Sequence, residues 1–176
     1  NIGEVVEYAR GVAEGVDIYI GVNPRLGAGG HKSDVSRITA LWADLDGKFG
    51  NIRERIQSFD LVPGLVVESS AGSYQGYWVI VPLDGQQYAH RVESVLKRLY
   101  DSLGGLDATQ DISRVFRLPG SWNWKKEYPQ PFQVRVAQHD PSAVYTLEQF
   151  EALLPPLPEE PPRTQSHAGE LFLLPL

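Results

Sequence analysis

The sequence predicts an α+β fold built on a strand–helix–strand–strand–helix–strand core, and three observations predict it. Short apolar or alternating runs at Ile38–Ala43, Leu65–Ser69, Gln75–Val81 and Arg114–Leu118 have strand character. Helical spacing occupies two of the gaps between them, at Asn51–Phe59 and Gln86–Leu103. Glycine or proline marks the changes of element, as at Gly47, Pro63-Gly64, Gly104-Gly105 and Pro119-Gly120.

In chain order, Gly3 to Ala13 has helical spacing through Val5, Val6, Ala9 and Val12, and Val16–Val22 alternates as a strand. Together they form an expected N-terminal α/β extension. Asn23 to Ser33, with Gly27, Gly29 and Gly30, reads as a mobile glycine-rich loop. The first core strand ends at Asp46. The short helix over Asn51–Phe59 is stopped by Pro63-Gly64, and two strands follow, joined by Ser70-Ala71-Gly72-Ser73. The longest helix, Gln86–Leu103, places Tyr88, Val92, Val95, Leu96 and Leu99 on one face and stops at Gly104-Gly105. After Arg114–Leu118, a further strand is expected over Phe132–Ala137 and a short helix capped by Thr146. The order from Ile38 to Leu118 is the RRM-like split βαβ core, an antiparallel sheet with both helices on one face. In this arrangement the first and third core strands are central neighbours.

A length of 176 residues suits one well-buried domain rather than two. The chain has no cysteine, which excludes disulfides and thiolate zinc sites. No signal-peptide pattern and no apolar run near membrane-spanning length occur, so no membrane and a cytoplasmic setting are expected. The chain starts at Asn1 and holds no methionine, so a trimmed chain or one domain of a longer protein is expected. A net charge of −6 argues against a generic nucleic-acid binder with a broad basic surface. The charge is uneven, however. Residues 107–126 hold Arg114, Arg117, Lys125 and Lys126 against Asp107 and Asp111, a net of +2. Such local concentration suits a phosphorylated ligand with a metal ion.

Asp44 and Asp46 carry the sharpest chemical signal. Two residues apart on a strand, they point the same way, about 7 Å apart along the backbone. Carboxylates held so close repel, and a bound divalent cation answers that repulsion. Aspartates disfavour strands, so a pair at a strand's end is a local violation of the kind that marks functional sites. The blander alternative is a solvated strand end feeding a turn. Ser73 and Gln75 share a face of the central hairpin by alternation, and the pairing of first and third strands lets them face the carboxylates.

Three blocks, L-W-A-D-L-D-G, S-S-A-G-S-Y-Q-G-Y-W and L-D-A-T-Q-D-I-S-R-V-F-R-L-P-G-S-W-N-W-K, occur in this order. Together they resemble the catalytic core of the archaeo-eukaryotic primase superfamily, closest to the primase-polymerases and replication primases of phages and plasmids. The resemblance covers roughly residues 16 to 137. Gln75 departs from it, standing where many relatives have histidine, and so carries no charged general acid.

The resemblance implies metal-dependent nucleotidyl transfer: template-directed primer synthesis, extending to DNA polymerisation, on single-stranded DNA. It implies two Mg²⁺ or Mn²⁺ ions, a nucleoside triphosphate substrate (NTP or dNTP), and a helicase or accessory domain beyond this chain. Asp44 and Asp46 would bridge the metals. The third ligand is Asp107 or Asp111. Asp107 is favoured, since the family's metal aspartate follows a hydrophobic residue and lies further upstream, whereas Asp111 could equally cap the turn before Ile112-Ser113. Ser73 and Gln75 would donate hydrogen bonds to phosphate. Arg114 and Arg117 could bind phosphate oxygens bidentately. Fully extended, they would face opposite ways, one to the triphosphate and one to a local anchor; a turn near Ser113 would bring both to the ligand. Asn123 and Lys125 are candidate contacts to nucleotide or template, Trp122 and Trp124 could stack on bases or be buried, and His31-Lys32 could touch phosphate.

Two other classes fit parts of the sequence: a non-catalytic nucleic-acid-binding or initiator module with this fold, and a D-x-D glycosyltransferase. Residues 1–154 are read as the catalytic domain and 155–176 as a tail or linker with six prolines and a net charge of −2.

Overall fold

A computed structural model describes residues 14–104 and 110–157, together with Tyr8 and Val12. The helix expected over Gly3–Ala13, Asp107 and the tail beyond residue 157 lie outside the described residues. The chain is α+β, as its sequence predicts.

The main sheet contains β2 (Arg37–Leu45), β3 (Leu65–Ser70), β4 (Ser73–Asp84), β8 (Arg135–His139) and β9 (Val144–Tyr145). Its path runs β2-β4-β3-β8, all antiparallel, and β9 adds to β4 in parallel at Val79 and Ile80. The first and third core strands are therefore neighbours, as expected. The fourth is not in this sheet. β5 (Val115–Arg117) pairs instead with β1 (Tyr19–Gly21), and β8 takes the edge beside β3. The cause lies in the N-terminal strand, which supplies β5 with backbone partners of its own: the Val22 amide donates to Arg114 and the Leu118 amide to Ile18. A third small sheet pairs β6 (Trp122–Asn123) with β7 (Phe132–Gln133).

Helices α1 (Ile52–Gln57), α2 (Ala89–Ser102) and α3 (Leu147–Leu153) are each shorter than or equal to their apolar patterns. Asn51 caps α1 by accepting the Glu54 amide, and Thr146 with Gln149 forms a capping box on α3. The apolar stripe of α2 buries Val92, Val95, Leu96, Leu99 and Tyr100. Trp78, on the helix-covered face of the sheet, meets Phe59 and Phe150 edge-on at 5.9 and 6.4 Å. Fully burying side chains such as Leu96 or Ile56 contributes about 1.5–3 kcal/mol each. That packing holds one face of the sheet closed and leaves Asp44, Gln75 and Tyr77 on the other.

The glycine-rich loop is more ordered than its composition suggests. The Leu26 amide donates to Asp34, the Ser36 amide to Pro24, and Arg25 bridges Val35. Gly29 makes this closure possible, since a Cβ there would lie 2.0 Å from the Asp34 carboxylate.

Candidate active site

Asp44 is the penultimate residue of β2 and Asp46 lies just past its end. Asp46 keeps an extended backbone (φ −76°, ψ 132°), so alternation continues and both carboxylates share a face. Asp44 stands directly opposite Gln75 on β4. Gln75 is only 3% exposed, and its Oε1 accepts the Tyr77 hydroxyl at 3.0 Å. Burial pushes the Tyr77 hydroxyl well above its ordinary pKa, and the Asp44 charge pushes it further. Tyr77 thus remains a proton donor, and the Gln75 amide keeps its NH₂ group for other acceptors.

The electrostatics at Asp46 differ from simple repulsion. Its Oδ1 accepts the Lys48 amide at 3.0 Å, and the Lys48 ammonium lies 3.1 Å from Oδ2. The hydrogen bond from the Lys48 amide, first, then the Lys48 ammonium and the Lys125 charge, hold its carboxyl below the ordinary range against the opposing effect of burial. A cation of the chain's own already answers part of the expected repulsion, and Lys48 was the residue that reading D-x-D alone overlooked. Next to it, the Gly47 amide donates to Ser73 Oγ at 3.0 Å, which joins the strand end to the hairpin.

The two arginines go to different partners. The Asp111–Arg114 turn is closed by the Arg114 amide, and the Arg114 guanidinium lies 5.8 Å from the Phe116 ring centre. Phe116 in turn meets Tyr77 edge-on at 5.8 Å, so Arg114 belongs to the side of β5 that faces the main sheet. Its Nε is buried with no hydrogen-bond partner among the described residues. Arg117 instead pairs across β1 and β5 with Tyr19 and binds Asp17 through Nε at 3.4 Å and Nη2 at 3.2 Å.

Asp17 is a residue that the motifs did not point to. It also accepts the Trp124 amide at 3.0 Å. Burial alone would raise its carboxyl, but the Arg117 hydrogen bond, the Trp124 amide and the charges of Arg117 and Lys125 together lower it. The Lys125 charge contributes to the lowering at both Asp17 and Asp46. Asn123 is 1% exposed and donates to the Ser69 carbonyl at 2.9 Å. It serves as an anchor of the 122–125 segment rather than a surface contact.

Asp111 caps its own turn by accepting the Ser113 amide at 2.9 Å and the Ser113 hydroxyl. Among the described residues no three carboxylate or imidazole groups come together closely enough to hold a metal ion, so Asp111 does not complete a cluster with Asp44 and Asp46. Lys32 pairs with Glu93 on α2 at 2.7 Å, and the same Glu93 oxygen accepts the Ile112 amide. This places Lys32 on the helix side of the 110–114 turn. The donor set at the end of β2, two carboxylates with no sulfur or imidazole, suits a hard divalent cation.

Residues 32–153 match the family model of the RepB DNA-primase N-terminal domain. The chain belongs to that family. It is a primase-type domain of DNA replication, of the archaeo-eukaryotic primase kind. The fold agrees with the AEP domain of the cyanophage S-2L primase-polymerase: TM-score 0.60 and 20% identity over 79% of this chain and 70% of that one. The structure of the primase RepB′ aligns over 66% of this chain and 40% of that one, with 21% identity and a TM-score of 0.48. No curated protein sequence matches. The RepB-type match begins at residue 32, so β1 and Asp17 lie outside the part of the chain that the family model describes.

Proposed function

We propose that this RepB-type primase domain catalyses metal-dependent nucleotidyl transfer, making primers on single-stranded DNA from NTP or dNTP during replication of a phage, plasmid or related element. The observation that carries the reading is the register of β2 against β4, which sets Asp44 directly opposite Gln75, with Asp46 following on the same face. A helicase or accessory region beyond this chain, a cytoplasmic setting and a linker role for residues 155–176 belong to the same proposal.

Asp44 and Asp46 would hold Mg²⁺ or Mn²⁺, with Asp107 as the third ligand. Bound there, a pair of such ions stabilises charge on the attacking and leaving oxygens of a displacement at phosphorus. The rest falls to the chain's own groups. Arg114, with its unpartnered buried Nε, is the guanidinium best placed to donate to a phosphate oxygen. The Gln75 NH₂ and the Ser73 hydroxyl hydrogen would supply neutral donors. Gln75 orients and does not transfer a proton, because an amide has none to give at neutral pH. Arg117, already bound to Asp17, acts as the local anchor.

Incubation of the protein with single-stranded DNA, an NTP and dNTP mixture and Mn²⁺ or Mg²⁺ tests the reading. Oligonucleotide products that vanish in Asp44→Asn and Asp46→Asn support it. A folded protein that binds DNA without making products supports a binding module, and one that ignores nucleotide mixtures but transfers sugars supports a glycosyltransferase.

A further inference from the structure

Asn123 fixes the orientation of the two tryptophans beside it. With its side chain buried and hydrogen-bonded to Ser69, and its Oδ1 accepting the Lys125 amide at 3.2 Å, Asn123 turns Trp122, its neighbour in β6, to the other side, and half-buried Trp124 follows just past the strand. The Trp124 amide is held by Asp17, so the backbone is pinned at both positions. The indole centres are 6.4 Å apart and tilted by 48°. Trp122 is 45% exposed, whereas Trp42 and Trp78 are 3% and 0% exposed, so core packing does not account for it.

Charge and position name the occupant. Lys125 and Lys126 follow directly and are exposed, in a stretch of net +2 within a chain of net −6. Asn123 holds this segment to Ser69, in the β3–β4 hairpin whose tip packs on Gly47 at the end of β2, so the indole pair stands beside the candidate carboxylate site. An aromatic pair with two cations fits a strand whose bases are unpaired and free to stack, because every base offers a π-face. It does not fit a duplex, whose bases are already stacked and whose binding leans on many phosphate contacts.

We infer that Trp122 and Trp124 form a stacking platform for bases of the single-stranded DNA template, with Lys125 and Lys126 on its phosphates. The inference rests on the primase reading for the identity of that strand. Stacking, rather than a broad basic surface, is then how an acidic chain holds DNA. Two phosphate contacts give a shallow salt dependence, a slope of about −1.4 in log affinity against log salt.

The test is a titration of the whole chain with oligo(dT), followed by intrinsic fluorescence and by anisotropy of labelled DNA, without metal or nucleotide. Trp122→Ala should weaken binding about 5- to 150-fold, the range expected for loss of one base stack. Trp122→Phe should keep most of the affinity, and both variants should melt as the parent does. Triphosphate affinity should stay the same, and the salt slope should lie near the shallow value. The platform is overturned if Trp122→Ala binds oligo(dT) within two-fold of the parent, if the same loss occurs with duplex DNA, or if the variant changes the oligomeric state instead. Binding through Trp122 with no primer synthesis under any metal would overturn the catalytic reading alone. Primer synthesis indifferent to Trp122→Ala at limiting template would overturn the platform alone.

Discussion

Gly47 approaches Gly72 so closely that a Cβ on Gly47 would lie 2.8 Å from the Gly72 carbonyl carbon and oxygen. The same residue donates its amide to Ser73, and Gly72 turns the hairpin with a φ of +75°. The end of β2 and the tip of the β3–β4 hairpin are thus one packed unit, and the position of Asp46 depends on it. Gly47→Ala should force the two backbones apart, costing about 1–3 kcal/mol as overpacking does. Ser73→Ala should cost about 0.5–1.5 kcal/mol for the lost hydrogen bond. Urea midpoints measure both. A Gly47→Ala protein as stable as the parent would show that the tip relaxes freely.

This contact also shows how much of the site the sequence carried. Alternation alone put Asp44, Asp46, Ser73 and Gln75 within reach of one another, and the β2–β4 register agrees. It worked because strand period and strand neighbours follow from local pattern and element order. The pairing of β5 with β1 was not legible, since a three-residue strand has too little pattern to name its partner. Asp17 was hidden for a related reason. A single carboxylate in an N-terminal segment gains meaning only when Arg117 and Trp124, a hundred residues later, come to it. Lys48 was overlooked because a D-x-D motif draws attention to its acids and not to the base two positions on.

Asp17 should make stability depend on pH in a defined direction. Its folded-state pKa lies below the ordinary value of 3.8, so its contribution is fully present above 3.8 and is lost as pH falls through the folded value. Asp17→Asn should therefore be less stable than the parent at neutral pH, on the order of 1–2 kcal/mol for the lost charged hydrogen bonds. The gap should close in acid. Denaturation midpoints of both proteins from neutral pH to about pH 2 give the comparison. A gap that stays constant across that range would mean that Asp17 acts through packing and not through its charge.

The two aspartates proposed for the third ligand position should separate cleanly. Asp111→Asn removes a carboxylate that caps the Ile112-Ser113 turn, so it should cost about 0.5–1.5 kcal/mol in stability and leave Mn²⁺ affinity nearly unchanged. Asp107→Asn should do the reverse, weakening Mn²⁺ binding at least ten-fold with little effect on melting. Calorimetric titration with Mn²⁺ decides. Equal loss of metal affinity in both variants would place Asp111 in the metal site as well.

Lys48 competes with any cation for Asp46 Oδ2. With that lysine side chain 66% exposed, its hold is weak, as surface ion pairs are. Lys48→Ala should therefore bind Mn²⁺ a few-fold more tightly, because the metal no longer displaces an ammonium from the same oxygen. The backbone amide of residue 48, the largest single cause of the lowering at Asp46, is untouched by this change, so the carboxylate stays ionised at neutral pH. Arg114→Ala serves as the contrast. It should leave Mn²⁺ affinity alone and weaken triphosphate binding, by roughly ten-fold for the loss of a charged hydrogen bond. If Lys48→Ala instead weakened Mn²⁺ binding, the lysine would be holding Asp46 in its ligating position, and the ion pair would be part of the site rather than a competitor for it.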